Sequence, residues 1–317
     1  MRKIVGWVAV GLGVFVLVAG LIADVWAEDQ LKRTPLDVDS VTRLDGTAAR
    51  IDTENGGLDL LDVRATSFTR SDSEASDDDV VVFVSNTCLV VDVPGTPDCG
   101  QRGTGDDADP NVINVSEPVV FATDRRTAEA VQDPEYVPEG APDTEGLVNK
   151  WPFDAQQQDY EVWDGLLGEA VTATFEGEEE LEGLPVYRYQ YELIDESAEV
   201  LEGTFGLYSQ LKTYWIEPVT GSIIRQEQSE VRALEDGTVL LDLDIAFTDD
   251  QVAANVADAE DSRDGLNLLT STVPTIGYAV GIPLVLVGLV LLLLSGRRRQ
   301  ARAHEAEKVK NPTVPTR

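Results

Sequence analysis

The side chains able to do chemistry in this chain are almost all carboxylates: 58 Asp+Glu stand against 24 Lys+Arg, two Cys and one His in 317 residues. The single imidazole, His304, lies in a basic tail. A Ser/His/Asp triad, a Cys/His dyad and a multi-His metal centre therefore have no His available in the main body. What remains for catalysis is a carboxylate pair of the kind that hydrolyses glycosides, and Asp154, Asp159, Glu161 and Asp164 lie among aromatic residues able to stack on sugar rings. So many carboxylates meet aromatics by composition alone. The expectation is a non-enzymatic protein with no catalytic residue and no cofactor.

Oxygen ligands for calcium are available at Asp77, Asp78 and Asp79, and again at Asp106, Asp107 and Asp109 with Asn111. Neither group follows the twelve-residue loop spacing of an EF-hand, so no metal site is assigned. A net charge of -34 repels nucleic acid backbones and anionic lipid headgroups at long range, which argues against a phosphate-binding role carried by the bulk of the chain. Cys88 and Cys99 are an even pair with Pro94, Gly95 and Pro97 between them. In an oxidising compartment they read as one structural disulfide, since the C-x-x-C spacing of a redox pair is absent.

The elements that must position these groups begin with two apolar stretches. Residues 4–23 carry no charge and follow Arg2 and Lys3; residues 275–295 are apolar and end before Gly296, Arg297, Arg298 and Arg299. Each is long enough to cross a hydrocarbon core about 30 Å thick. The basic flanks place both chain ends in the cytoplasm. The expected organisation is a cytoplasmic N-terminus 1–3, a first span 4–26, an acidic extracytoplasmic domain 27–273, a second span 274–295 and a basic tail 296–317, in the plasma membrane. A cleaved signal peptide ending at Val25-Trp26-Ala27 is the alternative for the first span. Gly13 and Gly20 in one span, and Gly277, Gly281 and Gly288 in the other, form small faces for close helix packing, within one molecule or in a homo-oligomer. The tail, with Thr313 and Thr316, has the composition of a disordered segment.

Between the spans the hydropathy alternates with period two. Tyr187, Tyr189 and Tyr191 share one face, and Leu241, Leu243, Ile245 and Phe247 alternate with Asp242 and Asp244. Turn signals at residues 217–221 and 235–237 join these runs as an antiparallel meander. Upstream, residues 80–84, 89–93 and 119–122 form further strands in a less regular half. Thr248-Asp249-Asp250-Gln251 has a capping-box pattern and starts a helix, with Gly265 and Pro274 as candidate interruptions. The fold class is α+β: a mainly antiparallel β domain, as a curved sheet or half-open barrel, with one transmembrane helix at each end. Tyr189, Tyr191, Phe205, Tyr208 and Trp215 either fill its core or line an apolar cavity.

Four segments carry a family resemblance. Lys150-Trp151-Pro152-Phe153-Asp154 with Tyr160 and Trp163-Asp164, Asp124-Arg125-Arg126-Thr127, Gly183-Leu184-Pro185-Val186-Tyr187, and Tyr214 to Gly221 resemble the motifs of the actinobacterial porin PorA family, once catalogued as a domain of unknown function. The resemblance spans nearly the whole chain and implies a membrane-anchored envelope protein; it brings no catalytic or ligand residue. The third and fourth segments are also locally similar to strands of LolA/LppX-like envelope lipoproteins, whose half-open barrels hold lipid. One copy with two apolar helices cannot itself enclose a polar pore, so a channel would need an oligomer. The expected function is therefore binding or sensing of an apolar envelope component such as lipid, with a structural or protein-interaction module and an oligomeric channel as alternatives. The expected partners are membrane lipids, an apolar envelope ligand or envelope proteins.

Overall fold

The computed structural model describes residues 2–51, 57–99 and 109–310. Asp106 and Asp107 of the second carboxylate group, and Thr313 and Thr316, lie outside these residues. The chain divides into two compact units, residues 33–263 and the terminal segments 1–32 with 264–317.

The first unit is built on one antiparallel sheet. Its strands are β1 (Asp39–Ile51), β2 (Leu58–Asp72), β3 (Val80–Val91), β4 (Val112–Val115), β5 (Val119–Asp124), β6 (Tyr160–Asp164), β7 (Glu169–Leu181), β8 (Leu184–Leu201), β9 (Thr204–Glu217), β10 (Ser222–Leu234) and β11 (Val239–Phe247). They run in the order β4-β3-β2-β1-β11-β10-β9-β8-β7-β6, with β5 paired to β3. Neighbours in sequence are neighbours in space from β6 to β11, as short turns between alternating runs require. The first half is the less regular one, as read from the sequence: β4 and β5 are short and both pair with β3, and residues 125–159 contain only isolated bridges. Its strands β1, β2 and β3 are nevertheless twelve residues or longer, beyond the apolar runs that mark them. The reason is chemical: inward positions of β1 and β2 hold Thr, Ala and Ser, so hydropathy does not alternate although the backbone does.

Two faces of the sheet are covered differently. On one, the helix α3 (Asp249–Asn267) packs Val252, Val256 and Ala259 onto Leu184, Val186, Trp215 and Ile224. Its N-cap forms half of the anticipated capping box: the Gln251 amide donates to Thr248 Oγ1 at 3.1 Å. The Gln251 side chain instead accepts from the Arg43 amide, also at 3.1 Å, because β1 runs alongside. The other face bears an aromatic cluster of Trp151, Tyr189, Tyr191 and Tyr214 and an aliphatic one of Leu44, Ala48, Val63, Leu243 and Ile245. Cys88 at the end of β3 is bonded to Cys99, with the Cα atoms 5.3 Å apart.

The second unit pairs α1 (Arg2–Ile22), followed by a π-helical turn and the short α2 (Glu28–Leu31), with α4 (Val273–Lys310), which follows a π-helical turn at Leu268–Thr272. The helical run passes Gly265 and Pro274 without a break. Pro274 is second in α4, where a missing N–H costs no internal hydrogen bond. Segments Lys3–Ala27 and Asp249–Ser295 each contain a helix long and apolar enough to cross a membrane. The glycines bring the two backbones together: a Cβ at Gly277 would sit 2.6 Å from Gly20 Cα, one at Gly281 3.0 Å from Gly13 O, and one at Gly288 2.8 Å from Gly6 O.

Two outcomes follow. Gly277→Leu lowers the thermal midpoint of the helical circular dichroism of the detergent-solubilised chain, whereas Gly11→Leu, at a site with nothing within 4 Å, leaves it unchanged. Replacing Cys88 and Cys99 by Ser lowers the stability of the β unit by about 2–3 kcal/mol in urea titrations, the loop-closure value for a bridge of this span.

Candidate ligand-binding site

Two anchor points build the site. The segment from Leu147 to Trp151 crosses the sheet face opposite α3, and both of its ends are held by backbone hydrogen bonds. At one end the Leu147 amide donates to Glu161 O and the Trp163 amide to Leu147 O, both at 2.8 Å. At the other, the Trp151 amide donates to Gly221 O at 2.9 Å, Asp154 N to Val219 O at 3.2 Å and Ala155 N to Pro218 O at 2.8 Å. Gly221 has a φ of +71°, and a Cβ there would overlap the Trp151 carbonyl oxygen. The turn itself is set by Glu217, a buried carboxylate that accepts from Thr220 N at 2.7 Å and from its Oγ1 at 2.8 Å. The first and fourth motif segments of the sequence are thus one structural device.

Between this segment and the sheet lies a cavity of about 350 Å³, within the size range of small-molecule sites. Six adjacent strands wall it through alternate residues: Ser85 and Thr87 on β3, Ser67 and Thr69 on β2, Thr42 and Leu44 on β1, Ile245 and Phe247 on β11, Gln226 and Gln228 on β10, and Lys212 and Tyr214 on β9. Leu147, Lys150, Trp151 and Val162 close it from the other side. The hydroxyls are tied across strands, Thr69 to Ser85 at 2.9 Å and Thr87 to Ser67 at 3.1 Å. Ile224 is the extra residue of a bulge against β9, which turns Ile223 toward the aromatic cluster and Ile224 toward α3.

The five aromatics singled out from sequence are distributed elsewhere. Tyr189, Tyr191 and Tyr208 are buried; the first two pack in the aromatic cluster, with the Trp151 ring 5.3 Å from Tyr189 and 4.8 Å from Tyr214. Trp215 lies under α3 with its Nε1 donating to Glu179 at 2.7 Å, and Phe205 is exposed. None of the five lines the cavity. The residues that do, Lys150, Lys212 and the hydroxyls, were passed over because inward-phase polar residues in a strand read as breaks in the pattern. The available signal was their phase: Gln210, Lys212 and Tyr214 share parity with buried Tyr208 and Ile216.

The carboxylates near the aromatics serve the fold. Asp164 is buried and accepts from Leu166 N and Leu167 N at 3.0 and 2.9 Å and from the hydroxyls of Tyr191 and Tyr208 at 2.8 and 3.0 Å. Burial pushes both phenols far above their ordinary range, reinforced at Tyr191 by Tyr214 and then Asp164, and at Tyr208 by Asp164. Asp159 accepts from Phe175 N, and Glu161 from Thr172 Oγ1. Asp77 caps Asp79 and Val80 and accepts from Tyr136, while Arg125 donates to the carbonyls of Thr34, Asp77 and Asp78. Among the described residues no group of His, Cys, Asp and Glu is arranged to hold a metal.

Lys150 and Lys212 differ electrostatically. Lys150 Nζ lies 3.7 Å above the Phe153 ring and 3.5 Å from Thr34 Oγ1, and burial lowers it from 10.5 to about 7. For Lys212 burial also lowers the value, but Tyr214, Asp164 and Glu230 outweigh it and hold the ammonium above its usual pKa. At neutral pH Lys212 is charged and Lys150 is divided between its two forms.

A family model described as Porin PorA matches residues 5–290. No curated protein matches the chain. A crystal structure of a LolA superfamily protein from Nitrosomonas europaea aligns at 10% identity over 70% of this chain and 91% of that one, with a TM-score of 0.13, too low to transfer fold or ligand.

The Lys150 shift has a measurable consequence. Between about pH 7 and 10 the unfolded chain keeps the Lys150 proton that the folded domain has released, so this residue's contribution to stability rises with pH across that window. In urea titrations Lys150→Met removes that rise, and its curve is flatter than that of the parent from pH 7 to 10.

Proposed function

The chain belongs to the porin PorA family, and on that premise we propose that it is a two-span plasma-membrane protein of the cell envelope whose outward-facing β unit binds an amphiphilic molecule. The single observation carrying this reading is the cavity of about 350 Å³, whose lining combines Leu44, Phe121, Leu147, Val162, Ile245 and Phe247 with Ser, Thr, Gln and Lys side chains. A cavity lined by both apolar and polar groups suits a ligand that has both. The role is binding, not catalysis: the carboxylates nearest the aromatics accept structural hydrogen bonds.

The orientation rests on charge. Arg2 and Lys3 before the first span, and Arg297, Arg298 and Arg299 after the second, favour cytoplasmic ends and leave the acidic β unit outside. A strand-built pore needs a closed sheet with an apolar outer belt, whereas this sheet is open, with β4 and β6 at the ends of its strand order, and β7 carries Glu176, Glu178, Glu179 and Glu180. The small faces of both helices are occupied by each other, so an assembly of several copies would use other surfaces.

Native mass spectrometry of the full chain, released from a mild non-ionic detergent, tests this. The parent retains one amphiphile per chain, and Ser67→Trp, which fills the cavity, loses it while keeping its near-ultraviolet circular dichroism. A parent chain free of any bound amphiphile, after both native extraction and incubation with envelope lipids, overturns the reading.

A further inference from the structure

Residues 33–263 contain only two lysines, Lys150 and Lys212, and both line the same cavity. They are 62 positions apart in sequence, one on the crossing segment and one on β9. Elsewhere in this unit the cations are arginines, and most meet carboxylates: Arg64 with Asp92 and Asp98, Arg70 with Asp39, Arg188 with Glu179, Arg225 with Glu227 and Arg232 with Glu230. Neither lysine makes an ion pair among the described residues. In a chain with 58 carboxylates, the cavity wall contains no Asp or Glu.

A third donor points the same way. Trp151 is 2% exposed and lines the cavity, and its indole Nε1 has no acceptor among the described residues. A buried N–H without an acceptor costs about 1–3 kcal/mol, which makes such groups rare unless a ligand or water completes them. The hydroxyls of Thr42 and Ser67 and one of the Thr69–Ser85 pair add further donors on the opposite wall, the Thr87 proton being given to Ser67. Two lysines, an N–H without an acceptor and a lining without Asp or Glu are the chemistry of an anion receptor, although Asp164 and Glu230 act on Lys212 from behind that lining, and the apolar lining residues supply a place for what the anion is attached to.

We propose that the cavity is a receptor for an anionic amphiphile, with Lys212 and Lys150 binding a carboxylate or phosphate head and the Trp151 indole N–H donating a third bond to it. This rests on the reading of the cavity as an amphiphile site and adds the sign of the ligand's charge. The acidic exterior of the unit repels anions at long range, so selectivity resides inside the cavity and association is faster at higher ionic strength. Lysine suits this role, since its compact ammonium on a flexible stem follows a head group of either geometry, where arginine would fix a planar fork.

The full chain in a non-ionic detergent, in competition against a fluorescent fatty acid, provides the test. The probes are dodecanoate, dodecyl phosphate, methyl dodecanoate and dodecanol, with inorganic phosphate and acetate as free anions. The expected result is that the two charged probes bind at least tenfold more tightly than the two neutral ones. Lys212→Gln and Lys150→Gln each reduce that ratio at least threefold while leaving methyl dodecanoate bound as before, which shows that the variants are folded; Lys212→Arg keeps most of it. Trp151→Phe reduces the ratio without a change in net charge. Neutral and charged probes binding equally overturn the anionic assignment and leave the amphiphile site standing. No probe binding overturns both. Inorganic phosphate displacing the fluorescent acid as well as dodecyl phosphate supports the anion receptor and overturns a lipid head as its source.

Discussion

The interlock between the segment ending in Ala155 and the turn ending in Gly221 is the constraint on which the rest of the β unit depends. Three backbone hydrogen bonds join them, at 2.9, 3.2 and 2.8 Å, and they are possible only because residue 221 has no side chain and a left-handed backbone. Glu217 holds the turn from inside by accepting from Thr220. With the segment seated, the Trp151 ring fits between Tyr189 and Tyr214, and each such pair adds about 0.5–1.5 kcal/mol beyond its buried area. The same seating carries Lys150 to the cavity and leaves a space between segment and sheet that the sheet alone would not enclose.

The sheet uses its two faces for different ends. One is closed by α3, which packs Val252, Val256 and Ala259 onto Leu184, Val186, Trp215 and Ile224. The other mixes aromatic and aliphatic clusters with hydroxyls, amides and two lysines, an arrangement that lowers packing energy and raises the desolvation cost of every polar group. Asp164 is fully matched, four donors meeting one carboxylate. Around the cavity the polar groups are not all matched: Trp151 Nε1 and Asn149 Oδ1 both lack partners among the described residues.

The terminal unit follows a simpler rule. Apolar helices in lipid gain nothing from hiding apolar surface from one another, so close backbone approach decides their pairing, and glycine permits it. Gly13 and Gly20 meet Leu284, Val285 and Gly277, and Gly281 and Gly288 meet Leu17 and Val10. The Tyr278 hydroxyl donates to Asp24 at 2.9 Å at one end of the pair.

Composition and periodicity determined a good deal by themselves: two apolar helices, a strand-rich acidic middle, the turn at residues 217–221 and the start of α3. These are local properties, set by side-chain period, chain stiffness and net charge. The cavity is not local. Lys150 and Lys212 look like ordinary solvated lysines until β9 and the crossing segment face each other, and Thr42, Ser67 and Thr87 look like interruptions of a hydrophobic pattern until three strands stack them on one wall. Of the five aromatics that either fill the core or line a cavity, Tyr189, Tyr191, Tyr208 and Trp215 are buried, where large rings gain most from packing, and Phe205 is exposed. Only the tertiary structure decides which of two phases of a strand faces inward, and that choice, made by pairing register across the whole sheet, is what turned small polar residues into the lining of a site.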